Sequence, residues 1–435
     1  MWPYEVPENW VWANVASVCE FERGITFPAS AKNDEAAPNP IPCLRTANVQ
    51  ELLDLSDLIY IDKSYMKNNA NKYVRHGDII MSSANSRELV GKVSFVDTLN
   101  EEITFGGFVL AIRAKKTFDK YLFYYLRLEF LSGRFMGEST QTTNIANINA
   151  TKLGGYAIPL PPLPEQHRIV TRIESLFTKL DRAKELAQSA LDRFETRKAA
   201  ILHQAFTGAL TAQWRAAHGV GLDSWESQTI ETICKNIVDC PHSTPQWTSE
   251  GKICLRTTNF RKGYLDLGEV RYVSEETYQA RNKRLTPMPG DVLYSREGAI
   301  LGLAVIYPEG LIACLGQRMM LMRANDFIKP LYLMHFLNSP AITETVKEKT
   351  GGSASPHINI RDIRKFVVPT PTFPEQEEIV RILDSLLEKE QRARALCEGV
   401  IGQVDLMKKA ILARAFQGEL GTNDASEVGM MGDVE

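Results

Sequence analysis

The ten residues PPLPEQHRIV at 161–170 return as PTFPEQEEIV at 371–380, and how far that echo extends decides the fold. It extends in both directions. Without a gap, Ile169 and Val170 match Ile379 and Val380, Ser175 and Leu176 match Ser385 and Leu386, and Arg182 and Ala183 match Arg392 and Ala393. KAAILHQAFTGAL (198–210) then matches KKAILARAFQGEL (408–420). Upstream, with small shifts, LRTANV (44–49) answers LRTTNF (255–260), and HGDIIMS (76–82) answers PGDVLYS (289–295). AIRA (111–114) likewise answers LMRA (321–324). The unit is about half the chain, far longer than the ~20–50-residue periods of solenoids. One module is written twice.

Each PEQ opens an amphipathic stretch. Ile169, Ile173, Leu176, Leu180, Ala183, Ala187, Ala190, Phe194, Arg197 and Ile201 follow the four-and-three spacing of a heptad seam. The second copy gives Ile379, Leu383, Leu386, Glu390, Ala393, Cys397, Val400, Val404, Met407 and Ile411. Pro164 and Pro374 suit a first helical turn, Glu165 and Glu375 sit favourably near the positive end of the dipole, and Gly208 and Gly418 are natural stops. Each helix is expected to hold about 40 residues and to span roughly 60 Å. A helix packed only on its own domain is the plainer reading. A seam of this length, however, needs a partner of equal length, and the duplicate supplies one.

The segments between read differently. Short apolar runs (DIIMS, KVSFV and FVLAIRA, then DVLYS, LAVIY and RMMLMRA) are separated by Gly, Asn, Asp and Pro, which is strand punctuation. Each segment also holds one helical patch, FDKYLFYYLRLEFLSGRF (118–135) and IKPLYLMHFLNSPAITETVKEK (328–349). The expected fold class is α+β, with a domain at 1–160, a helical region at 161–215, a domain at 216–371 and a second helical region at 372–420. The two helices pair as an antiparallel coiled coil with pseudo-twofold symmetry, and 421–435 forms a disordered acidic tail.

Composition bounds the function classes. A chain of 435 residues with ordinary apolar and charged fractions builds two or three domains with proper cores. No stretch approaches the ~20 consecutive apolar residues of a membrane helix. The N-terminal MWPYEVPENWVW lacks the pattern of a signal peptide, so a cytoplasmic location is expected. Seven cysteines, odd in number and without a CxxC pair, read as reduced thiols. Cys234, Cys240 and His242 lack a fourth ligand, so no metal site is expected. A net charge of −3, with no strongly basic block, makes phosphate attraction a poor sole basis for nucleic-acid binding.

Motifs for chemistry are missing. LVGKVS around Lys92 lacks both the first Gly of a phosphate loop and the hydroxyl after Lys, and NPIP at Asn39 has no aromatic to stack a flipped base. Asp78, Glu88 and Lys92 are spaced too widely for a nuclease and read as turn and surface charges. No catalytic residues are assigned. What remains are polar side chains on loops: Arg45, Thr46 and Asn48 after one strand, and Arg256, Thr257 and Asn259 after its duplicate. Arg and Asn make bidentate contacts to guanine and adenine edges. Their retention in both copies favours a scaffold role, because modules reading different sequences should differ where they read. The diverged positions are Asn85, Ser86 and Arg87 against Glu297, Gly298 and Ala299, and Phe108 against Arg318; they are the better readers. Lys92, Ser295, Arg296 and Gln317 complete the candidate DNA-facing set.

With its doubled PEQ helices, doubled AIL…AF.G.L ends, LTAQWR (210–215) and paired LRT.N and GD motifs, the chain resembles the specificity subunits of Type I restriction–modification systems. The resemblance covers nearly all of 1–420, is strong through the helices and weak inside the domains. It implies two target recognition domains, each reading half of a bipartite DNA site. It implies helical regions that dock two modification (methyltransferase) subunits, with restriction subunits joining them. S-adenosylmethionine, ATP and magnesium would belong to those partners, with none bound by this chain. A coiled-coil adaptor that presents two ligand-binding domains without touching DNA is the alternative.

Overall fold

The second PEQ stretch opens one helix, Phe373–Phe416, and the first opens Leu163–Asp192, which Phe194–Phe206 continues. These come from a computed structural model that describes residues 4–32, 38–138, 140–142, 145–350 and 356–427. The first helix is not the uninterrupted rod expected from its seam. At Arg193 the N–H donates to the Ala190 carbonyl at 3.2 Å, three residues back, and this tightened turn divides it. No helix among the described residues is long and apolar enough to cross a membrane.

The chain falls into two units, Met1–Ala187 with Gly399–Glu435, and Gln188–Glu398. This differs from four parts in line. Each unit contains one α+β domain, the start of the helix that follows it, and the end of the other helix. In the first unit Ile169, Val170, Ile173 and Phe177 share a core with Leu412, Ala415 and Phe416. In the second, Ile379, Val380 and Leu383 share one with Leu202 and Ala205. There Arg197 meets Glu390 at 3.1 Å and Glu195 meets Arg394 at 3.6 Å, so the helical segments run antiparallel.

The register of the expected seam needs correction. Ile169, Ile173, Phe194, Ile379, Leu383 and Val404 are buried, but Leu176, Leu180, Leu386 and Ile411 are only half-buried, and Val400 and Met407 are exposed. Phe177, Leu202 and Leu412 are buried instead. The inner face packs on the domain as well as on the other helix, so it is wider than a two-helix stripe and drifts from a strict heptad. The tail is also corrected as far as Glu427. Arg168 donates to both carboxylate oxygens of Glu427 at 2.8 and 2.9 Å and to the Thr422 carbonyl at 3.0 Å. Residues 428–435 lie outside the described residues.

Both domains repeat the same sheets. Cys19–Arg23, Val109–Ala114, Ile79–Ser82 and Val93–Phe95 form an antiparallel sheet in that order, matched by Cys234–Asp239, Met319–Ala324, Val292–Ser295 and Ala304–Ile306. A three-stranded sheet places Pro40–Leu44 between Ile59–Asp62 and Thr104–Phe105, and its counterpart places Lys252–Leu255 between Arg271–Val273 and Ala313–Leu315. The doubled GD and R of the sequence are one buried ion pair in each domain. Arg113 grips Asp78 at 2.9 and 3.1 Å, and Arg323 grips Asp291 at 2.7 and 2.8 Å. Gly77 and Gly290, at φ +81° and +89°, supply the left-handed turn before each aspartate.

The doubled PEQ is a clamp within each unit. Gln166 Oε1 accepts from the Thr117 hydroxyl (2.7 Å) and the Phe118 N–H (2.9 Å), while its amide donates to the Pro161 carbonyl (3.0 Å). Gln376 accepts from the Lys329 N–H (2.8 Å) and donates to the Phe327 and Pro371 carbonyls (both 2.9 Å). Glu165 and Glu375 are fully buried and accept from the indoles of Trp10 and Trp225, both at 2.9 Å. The two copies then part. Glu375 Oε1 also receives the Thr211 hydroxyl and the Arg215 guanidinium, each at 2.6 Å. Glu165 Oε1 has no hydrogen-bond partner among the described residues, and burial pushes its carboxyl above the usual range.

A raised carboxyl binds a proton in the folded chain that the unfolded chain has released. Its cost to stability therefore grows as pH rises from about 4.5 through the folded value. Glu165→Gln should flatten this dependence in denaturant melts while changing stability by under about 1 kcal/mol at pH 7. Glu375→Gln should cost about 3 kcal/mol, because Arg215 is left buried without its counter-charge. Truncation after Arg215 removes Leu412, Ala415 and Phe416 from the first unit. The fragment should dimerise, a second copy lending Leu202, Ala205 and Phe206 to the vacated positions; sedimentation showing a folded monomer at micromolar concentration contradicts this.

Candidate nucleic-acid interface

Several expected readers turn out to hold the loops together. Asn48 is 1 % exposed; its Oδ1 accepts from the Arg45 N–H (2.7 Å) and its amide donates to the Asp54 and Asp57 carbonyls (3.0 and 2.9 Å). Asn259 repeats this with the Arg256 N–H (2.9 Å) and the Asp266 and Glu269 carbonyls (3.0 and 2.8 Å). Both amide N–H donors are used, so neither asparagine is free to pair bidentately with an adenine edge. Arg45 donates to the Asp57 carboxylate at 2.6 Å and Arg256 to the Glu269 carbonyl at 3.2 Å, both half-buried. Thr46 and Thr257, also half-buried, make no side-chain hydrogen bond among the described residues.

The other loops divide in the same way. Ser295 is fully buried, its hydroxyl engaged with the Leu303 backbone. Arg296 is 6 % exposed, bidentate on Asp239 at 3.0 Å and ion-paired with Glu297 at 2.7 Å. These two are scaffold, because a loop that follows a central strand starts inside the domain. Asn85 folds onto its own loop, donating to the Ser82 hydroxyl (3.0 Å) and accepting from the N–H of half-buried Ser86 (2.8 Å). Lys92 bonds Gln50, and burial pushes its ammonium pKa down. Gln317 donates to the His242 carbonyl. Arg87 is exposed with no side-chain partner among the described residues.

Phe108 and Arg318 stand apart. Each occupies the residue before the central strand of its sheet, and each has its carbonyl pinned by the neighbouring loop. Ser83 donates to Phe108 through its N–H (3.0 Å) and hydroxyl (2.9 Å), and the Arg296 N–H donates to Arg318 (3.0 Å). Phe108 is 62 % exposed. Arg318 is exposed, takes φ +69°, and lays its guanidinium over Gly298, where a β-carbon would meet it at 3.2 Å. A non-glycine residue held at positive φ is uncommon and costs roughly 1–3 kcal/mol, a strain that collects at functional sites.

In the first unit Phe108, Arg45 and Thr46 line one recess of about 430 Å³ with Arg23 and Lys32. The last two were missed in sequence, since neither recurs in the second copy; their signal was a basic pair flanking the LRT.N loop in space. Asp78 belongs to the buried ion pair, not to a nuclease centre. Among the described residues no group of three or more His, Cys, Asp and Glu is placed to hold a metal ion, and His242 meets Asp239 at 2.9 Å.

The model of the Type I restriction–modification DNA specificity domain matches residues 7–189 and 239–395, one match for each copy. The chain belongs to this family. A similar curated relative is the Type I restriction enzyme EcoKI specificity subunit of Escherichia coli, 27 % identical over 96 % of this chain and 90 % of that protein. The StySPI specificity subunit of Salmonella potsdam is 25 % identical over the same shares. Among solved structures, the HsdS subunit of Thermoanaerobacter tengcongensis superposes with a TM-score of 0.67 at 19 % identity, covering 96 % of this chain and 99 % of that one. The likeness confirms the fold of two repeated domains and two long helices.

Within this specificity-domain frame, Arg318→Ala should weaken binding to the second half-site alone by about 1–3 kcal/mol in competition gel shifts. Arg87→Ala should do so at the first. Equal weakening on all sequences would mark either residue as a phosphate contact.

Proposed function

We propose that the chain is the DNA sequence-recognition subunit of a Type I restriction–modification assembly. Each α+β domain reads one half of a bipartite, asymmetric duplex site, and the helical regions dock two modification (methyltransferase) subunits, with restriction subunits joining the complex. The observation that carries the reading is the shared position of Phe108 and Arg318: one pinned backbone site in a repeated frame, tipped with different exposed side chains. Constant frame and variable tip is what two domains reading different half-sites require. Leu186, Val400, Leu406 and Met407, exposed on the helices of the first unit, support partner docking there.

The chain performs no chemical step. S-adenosylmethionine, ATP and magnesium are held by the partner subunits, and the assembly works in the cytoplasm. A net charge of −3 means that partners supply much of the attraction to phosphate.

Gel shifts on duplex DNA with and without the co-expressed methyltransferase test this reading, with mapping of methylated adenines in the host genome to give the site. Specific retention should require the partner, and the methylated motif should have two defined halves around an undefined spacer. Assembly with the partner but no sequence-dependent retention would leave an adaptor that does not read DNA.

A further inference from the structure

The two units put opposite charges at one strand end. Arg23 pairs with Leu110 across the first sheet, and Asp239 pairs with Met320, the equivalent of Leu110, across the second. Asp239 is spent inside its unit: Arg296 grips it at 3.0 Å and His242 meets it at 2.9 Å. Gln317, the equivalent of Gly107, donates to the His242 carbonyl. Arg23 has no carboxylate partner among the described residues. Its Nε donates to the Gly107 carbonyl at 3.2 Å, which leaves both terminal nitrogens of an exposed guanidinium unbonded among those residues.

Arg23 and Gly107 both line the recess of about 430 Å³ beside Phe108. Its wall is largely apolar, with Ile25, Phe27, Leu44 and Val109. Lys32 also lines it, exposed and not ion-paired among the described residues. Arg45 is the third cation, and its charge is answered by Asp57, which stands outside the lining. Among the described residues no carboxylate lines the recess. The hydroxyls of Thr26 and Thr46 complete the wall, and neither makes a side-chain hydrogen bond among those residues.

We propose that this recess binds a single nucleotide, its base against Phe27 and Phe108 and its 5′-phosphate between Arg23 and Lys32. An aromatic wall offers stacking to any base, because every base has a π-face. A guanidinium held at Nε and open at its two terminal nitrogens suits the paired oxygens of a phosphate. The volume falls within the ~300–1,000 Å³ of small-ligand pockets. The site is particular to the first unit, since the second spends the equivalent groups on one another. The nucleotide comes free or turned out of a DNA strand, and its binding does not depend on half-site reading.

Calorimetric titration of the full chain, without DNA or partner, tests it with thymidine 5′-monophosphate and deoxyadenosine 5′-monophosphate. Each should saturate one site. Thymidine alone and 2-deoxyribose 5-phosphate alone should bind at least about tenfold more weakly. Arg23→Ala with Lys32→Ala should cost the nucleotides at least about tenfold, with thermal melts unchanged. Ala29→Trp, which adds an indole to the lining from an exposed turn, should do the same. A duplex with one unpaired nucleotide that displaces the probe, where a fully paired duplex does not, identifies the strand as the source; no displacement by either identifies the free nucleotide. Binding that follows phosphate alone, matches that of thymidine, ignores these substitutions or never saturates would overturn the proposal.

Discussion

A buried carboxamide at the start of each long helix fastens that helix to the domain preceding it, and the rest of the architecture follows. Gln166 and Gln376 each bridge the helix entry and the loop that opens the domain's own helix, so neither long helix can swivel on its domain. With both helix starts fixed, each domain still exposes an apolar face that its own helix does not cover. The end of the other helix covers it, Phe416 sealing one core and Phe206 the other. Neither half of the sequence is complete without a segment from the other. The duplication is thus a structural requirement as much as a repeat of function.

The copies have since drifted where symmetry was not needed. The buried Glu375 is also met by an arginine and a threonine, whereas among the described residues Glu165 accepts from its indole at one oxygen and leaves the other unbonded. The position tipped by Phe108 in one domain carries Arg318 in the other, with the carbonyl held by the neighbouring loop in both and the backbone turned to positive φ only at Arg318. Conserved frame beneath divergent tip is a physical basis for reading two unlike half-sites with one fold.

The sequence carried the architecture well, because duplication and apolar periodicity both report on buried faces. The doubled LRT.N and GD motifs were equally visible, but their meaning was not. Asn48 and Arg296 have the chemistry of base readers, and only their burial shows that their hydrogen bonds are spent inside the domain. The seam register escaped because the helices bury a face against their domains too, which replaced Leu176 by Phe177 as the innermost residue.

Native-state hydrogen exchange on the full chain tests most directly whether one continuous helix belongs to two units. Amides near Val404–Phe416 should open with the strands Ile79–Ser82 and Val109–Ala114, and those near Ile379–Glu390 should open with Val292–Ser295 and Met319–Ala324. Two free energies of opening along a single helix, each matched to its own sheet, are the predicted result. A helix that opens as one block from Phe373 to Phe416, unlinked to either sheet, would contradict the account.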